Sequence, residues 1–178
     1  MKVLVTYFSR TGNTRKVAEA IFEEMPTPKE LKDLRQTEGF DGYDLVFVGL
    51  PIEIFGPPKE AVSLLAKQRA GKKVALFATH AAREDAPQLP EWLAKCEATI
   101  ATADLLGSFN CQGELGEQIA NYMLKSPDER LVAWAKERPS TIGQPDLFRL
   151  QRARTWAKEV LLKCKNEKFI VAQQATGA

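Results

Sequence analysis

Four stretches of this chain are apolar over the length of one β-strand, and most of the intervening segments carry apolar residues at helical spacing; this alternation constrains the fold more than any other feature. Val3 to Phe8 is nearly unbroken in its apolarity, and Asn13 to Met25 then places Val17, Ala18, Ile21, Phe22 and Met25 on one helical face. Asp44 to Leu50 reads as a second strand, and Pro58 opens a helix with Ala61, Leu64 and Leu65 turned inward. Lys73 to Thr79 is a third, followed by an irregular stretch through Pro87 and a helix with Leu89, Trp92, Leu93 and Cys96 on one face; Ala103 to Asn110 is a fourth. Beyond it the pattern predicts a helix near Leu115 to Leu124 and another opened by Ser126-Pro127-Asp128-Glu129, read as a capping box with proline at the first helical position. A last helix begins near Pro145 and presents Leu147, Leu150, Ala157, Val160, Leu161 and Cys164.

Strands that are apolar at nearly every position are buried on both faces, so helices must cover a parallel sheet above and below. Lys29 to Leu34 is a weaker strand candidate and brings the count to five. Right-handed crossovers leave few arrangements, and five strands in this length suit the doubly wound α/β order 2-1-3-4-5. A chain of 178 residues with 44% hydrophobic content fills one core, so the expectation is a single domain over 1–164. Periodicity lapses after Lys165, which predicts a loosely held tail over 165–178.

Composition narrows the function classes. The charged residues nearly cancel to a formal +2, which excludes the strong basic field that nucleic-acid binding uses. Met1-Lys2 leads straight into Val3-Leu4-Val5, too little for a leader peptide, and no run is long enough to span a membrane. Cys96, Cys111 and Cys164 are odd in number and widely spaced, which predicts neither a disulfide framework nor a zinc site and fits a reducing, cytoplasmic setting.

The turn after the first strand, Ser9-Arg10-Thr11-Gly12-Asn13-Thr14, sets three hydroxyls and an asparagine around one glycine immediately before a helix. A helix N-terminus offers unpaired N–H groups and the positive end of its dipole, glycine lets the backbone close, and short hydroxyls donate to phosphate oxygens. Capping alone needs one such side chain, so the cluster points to a phosphate-bearing ligand. Neither the Walker pattern nor the three-glycine dinucleotide fingerprint is present.

The run Val-Thr-Tyr-Phe-Ser-Arg-Thr-Gly-Asn-Thr-Arg-Lys-Val-Ala-Glu-Ala-Ile at 5–21 resembles the N-terminal signature of the flavodoxin family, with further similarity at Asp44–Gly49 and at Gly143-Gln144-Pro145-Asp146. The resemblance implies that Ser9 to Thr14 wraps the phosphate of FMN and that two later loops flank its isoalloxazine ring. The first of these is Pro51-Ile52-Glu53-Ile54-Phe55-Gly56, where Ile52 and Ile54 supply apolar walls and Phe55, the nearest aromatic, either stacks on the ring or tucks into the local core. The second holds Thr79, His80 and Ala81, then Arg83. The only histidine, His80, is expected either to place a positive charge near the flavin N1 and O2 edge, raising the reduction potential with help from Arg83, or to face solvent. Cys111 and Gly113 follow the last strand at the same edge, Cys111 read as a packing residue rather than a reactive thiol. Trp92, Trp134 and Trp156 are read as core and given no role.

The resemblance implies an electron carrier that works through FMN. Carriers of this family are typically acidic, and this chain is slightly basic. The alternative is therefore an FMN-dependent reductase of a small molecule such as a quinone, using NAD(P)H; a third reading is an interaction module with another phosphate ligand or none. The expected partner is a redox protein or a small-molecule electron acceptor.

Overall fold

The central strands are buried along nearly their whole length, and successive residues point alternately into two cores, one on either side of a sheet. The structure, a computed structural model, describes residues 1–68 and 71–176, with side chains through Glu167. Its elements run β1 (Val3–Tyr7), α1 (Asn13–Glu23), β2 (Lys29–Asp33), β3 (Leu45–Pro51), α2 (Lys59–Leu65), β4 (Lys73–His80), α3 (Leu89–Ala98), β5 (Asp104–Gln112), α4 (Glu117–Met123), α5 (Glu129–Lys136) and α6 (Leu147–Thr176). Val3, Val5, Leu45 and Phe47 face one side, against Val17 and Ile21 of α1 and Ala153, Ala157 and Val160 of α6. Leu4, Val46, Val48 and Leu76 face the other, against Ala61 and Leu65 of α2 and Cys96 of α3.

The five strands are all parallel in the order β2-β1-β3-β4-β5, as the pattern predicts. β1 lies between β2 and β3, so the chain crosses to one side of β1 and then returns on the other, opening a switch-point crevice at the C-terminal ends of β1 and β3 where ligands of such sheets bind. The weak strand signal of β2 has a physical reason. It is an outer strand, none of its residues is fully buried, and its Lys-Glu-Leu-Lys-Asp sequence charges an edge that would otherwise invite pairing. Glu30 there receives hydrogen bonds from Lys2, Lys32 and Tyr43, which hold its carboxyl down at about 2.

Two local readings are corrected. Asp128, not Ser126, caps α5, its side chain accepting from Arg130 N, while Ser126 Oγ accepts from Asp128 N. Helix α6 begins after Asp146, whose carboxylate accepts from Arg149 N, and Leu147 is 82% exposed rather than inward. The backbone of α6 stays helical through Thr176, past the point where the apolar pattern lapses, and Lys73 pairs with Glu167. The side chains of 168–178, on which the expected loose tail turns, lie outside those described.

Helices α4 and α5 form a small unit beyond the end of β5. Leu115, Ala120 and Ala135 make its core, packed with Met123 against Ala81, the first residue after β4. It therefore sits over the C-terminal edge of the sheet.

Candidate functional site

The six-residue turn after β1 closes on itself before α1 begins. Gly12 has φ 93°, a left-handed conformation that a side chain would strain, and its N–H donates to Ser9 Oγ at 3.1 Å. No side chain caps α1 and no acid lies in its first turn, which reads Asn13-Thr14-Arg15-Lys16. An uncapped helix start without a repelling carboxylate is suited to an anion. Thr11 is exposed at the mouth of the turn, whereas Thr14 is buried beneath it, its hydroxyl 2.8 Å from the hydroxyl of Thr79 at the end of β4. That contact ties the turn to the neighbouring strand.

Asn13 turns the other way. Its Nδ2 donates to the carbonyl of Glu114 at 2.8 Å, and it lies so close to Gly113 that a Cβ there would come within 2.7 Å of it. Gly113 N in turn donates to the His80 carbonyl at 2.8 Å, and Ile52 N to the Thr79 carbonyl at 2.8 Å. Backbone and side chain together therefore stitch Ser9–Thr14, Pro51–Gly56, Thr79–Ala81 and Gly113 into one edge. Arg10 crosses it, pairing with Glu53 at 3.1 Å and Glu60 at 3.4 Å.

The second loop is a tight two-residue turn. Glu53 and Gly56 exchange backbone hydrogen bonds of 2.8 and 3.2 Å around Ile54 and Phe55, both at positive φ. Phe55 packs against both Trp92 of α3 and Trp134 of α5, with ring centroids 5.4 and 5.2 Å away, and the two indoles touch each other at 5.6 Å, so the three rings form a triangle. Sequence reading gave these tryptophans no role because each sits on an apolar helix face, and nothing local tells which distant ring it will meet.

His80 meets neither expectation. It lies within β4, 4% exposed, with Nδ1 3.0 Å from the Ala82 carbonyl and Nε2 3.1 Å from Asn110 Oδ1. Burial lowers its pKa, outweighing those two contacts, so the ring is neutral near pH 7 and supplies no cation to the site. The positive charge of Arg83 is compensated by Asp85 at 2.8 Å. Cys111 is fully buried in the core, and burial pushes its thiol up to about 12, which makes it inert as a nucleophile. A network invisible in the sequence lies behind them. Glu84 accepts from Arg149 at 2.7 Å, Arg152 at 2.6 Å and Gln112 N at 3.2 Å, fastening the loop after β4 to β5 and α6.

A doubly wound parallel sheet with an uncapped, glycine-closed turn at its switch point defines an α/β protein whose C-terminal edge is suited to a phosphate-bearing ligand. Residues 4–145 match the family model for the flavodoxin domain. The chain belongs to the flavodoxin family. It is 34% identical over 173 residues to the flavodoxin-like domain-containing protein BilS of Clostridioides difficile (strain CD3), covering 92% of this chain and 98% of that protein. Among solved structures it is similar to oxidised Flavodoxin 2 from Bacillus cereus (TM-score 0.60, 17% identity, 92% of this chain and 99% of that one) and to a flavodoxin from the domain Archaea (TM-score 0.56, 18% identity, 93% and 99%). Family membership makes FMN the cofactor, and the turn fits its phosphate. Gly12 closes it, the leading N–H groups of α1 and the Thr11 hydroxyl would donate to the phosphate, and no acid lies in the first turn of the helix.

Proposed function

We propose that this protein is an electron carrier that works through FMN bound at the edge formed by Ser9–Thr14, Pro51–Gly56 and Thr79–Ala81. The observation that carries the reading is the glycine-closed turn leading into the uncapped start of α1, stitched directly to the two loops that follow β3 and β4. Bound FMN supplies one- and two-electron chemistry. The protein supplies the rest. Thr11 and the first turn of α1 bind the phosphate, the loop at 51–56 walls the ring, and a neutral His80 with a compensated Arg83 leaves the loop after β4 without net positive charge. Among the described residues no group of three metal-ligating side chains comes together, and no helix is long and apolar enough to cross a membrane.

A specific observation favours a second reading. A cleft of about 470 Å³ lies beside the loop after β4, lined by Arg83, Gln112, Lys136, Glu137, Pro139 and Ser140. It is large enough for part of a planar small molecule, which suits a reductase that passes electrons to a quinone-like acceptor. The FMN-loaded protein mixed with NAD(P)H and a quinone separates the two. A carrier shows no turnover until a reductase is added, whereas steady turnover of the protein alone establishes the reductase.

A further inference from the structure

The outward face of α6 carries a stripe at alternating spacings of three and four residues: Phe148, Gln151 and Arg152, Thr155, Glu159 and Leu162, all exposed. Phe148 and Leu162, 69% and 58% exposed, stand at equal distances on either side of Thr155, and Arg152 and Glu159 lie inside them. The floor beside the stripe is preformed. Trp156 stacks on Phe109 of β5 at 5.5 Å and meets Phe47 edge-on at 5.6 Å, and with Phe148 these rings line a groove of about 320 Å³. Arg152 lies over Phe109 and Phe148; one of its nitrogens holds Glu84, and the guanidinium has further donors to offer. Glu159 makes no hydrogen bond or ion pair among the described residues. The lysines nearest to it along the helix are engaged elsewhere, Lys158 with Glu24 and Lys163 with the Leu106 carbonyl, so its own chain leaves this carboxylate for a cation from outside.

A single exposed apolar residue is ordinary on a protein surface, but an apolar pair set symmetrically outside a pair of opposite charges is a surface complementary to itself. We propose that this stripe is where a second copy of the chain docks, the two α6 helices crossing antiparallel about a two-fold axis at Thr155. Antiparallel pairing brings Arg152 of each copy to Glu159 of the other and Phe148 to Leu162, with the small Thr155 allowing close approach at the axis. Parallel pairing would set like charges side by side. The neighbouring edge of the sheet does not serve instead, because Lys163 Nζ donates to the Leu106 carbonyl of β5 at 3.0 Å and blunts strand pairing there. Helix α6 starts at the ligand end of the sheet, where Glu114 N donates to the Gln144 carbonyl, so antiparallel helices leave the two ligand edges open at opposite ends of the dimer. The pairing needs no flavin and stands apart from the redox reading.

The test is sedimentation of the wild-type protein and of E159R between about 1 and 100 µM, together with mild oxidation of T155C and of S63C, a control on the opposite face of the sheet. The three native cysteines are buried and do not interfere. Wild type is expected to sediment as a dimer at the upper end of this range. E159R sets arginine against arginine and is expected to weaken the dimer roughly tenfold or more, with the melting temperature of the dilute monomer unchanged. T155C is expected to cross-link to itself at concentrations where S63C does not, because only a residue on the axis meets its own copy. A wild-type protein that stays monomeric at about 100 µM would overturn the proposal and leave the stripe to a different partner. A dimer that E159R leaves at wild-type strength would place the interface on another face and overturn it equally. Dissociation of E159R without trapping of T155C would overturn the axis at Thr155.

Discussion

The phosphate side and the ring side of this site are built by opposite means. The phosphate side is six consecutive residues, Ser9 to Thr14, whose chemistry is local: a glycine at positive φ, an uncapped helix start and a free hydroxyl. The loop after β3, on the other side, is packed at long range: Phe55 meets Trp92 of α3 and Trp134 of α5 only because the fold brings them together. Local chemistry fixes what kind of group is bound. Assembled packing depends on residues distant in sequence and leaves no local signature.

Substitutions that attack one side and spare the other make this contrast measurable. The largest effect is expected at Gly12. A valine there forces a branched side chain into the left-handed region at a cost of about 1–3 kcal/mol and opens the turn, so FMN affinity should fall by roughly ten- to a hundredfold while riboflavin, which lacks the phosphate, is bound as before. An equal loss for both ligands would show that the two sides are not separable. Thr14→Val comes next. It strands the buried Thr79 hydroxyl, costing about 1–3 kcal/mol in urea unfolding, and adding Thr79→Val should recover most of that, because two apolar partners leave nothing unsatisfied. Failure of the double variant to recover would mean that the pair serves the ligand rather than the fold.

The smallest effect concerns His80. Its folded pKa is lowered by burial, so the unfolded state binds the proton more readily and the histidine's contribution to stability, complete above the unfolded pKa near 6.5, is lost as pH falls below that value. Chemical denaturation between pH 7 and 5 should show this fall, and His80→Gln should flatten it. An unchanged slope in the variant would assign the acid sensitivity to other groups.

How much could be read beforehand follows the same division. β1, β3 and β4 announce themselves because strands buried on both faces are apolar throughout, and from their alternation with helices the sheet order follows. β2 is faint because an edge strand is half solvated and charged. The phosphate turn is legible because a helix start is written in adjacent residues. The tie between Thr14 and Thr79 is not legible there, because Thr79 lies far along the chain. His80 escaped for a related reason, since its burial depends on Asn110 of β5 and on the loop after β4 folding back over it. The contact of Phe55 with Trp92 and Trp134 left no trace in local spacing. A phenylalanine in a loop and a tryptophan on a helix look alike whether they meet or not.

The central claim is that the turn before α1 is a phosphate site for FMN, and parallel titration of the purified protein with FMN and with riboflavin tests it most directly. The account predicts a coloured complex with FMN, with riboflavin bound at least tenfold more weakly for want of the phosphate contacts. Equal affinity for the two flavins, or no binding of FMN at all, would contradict it.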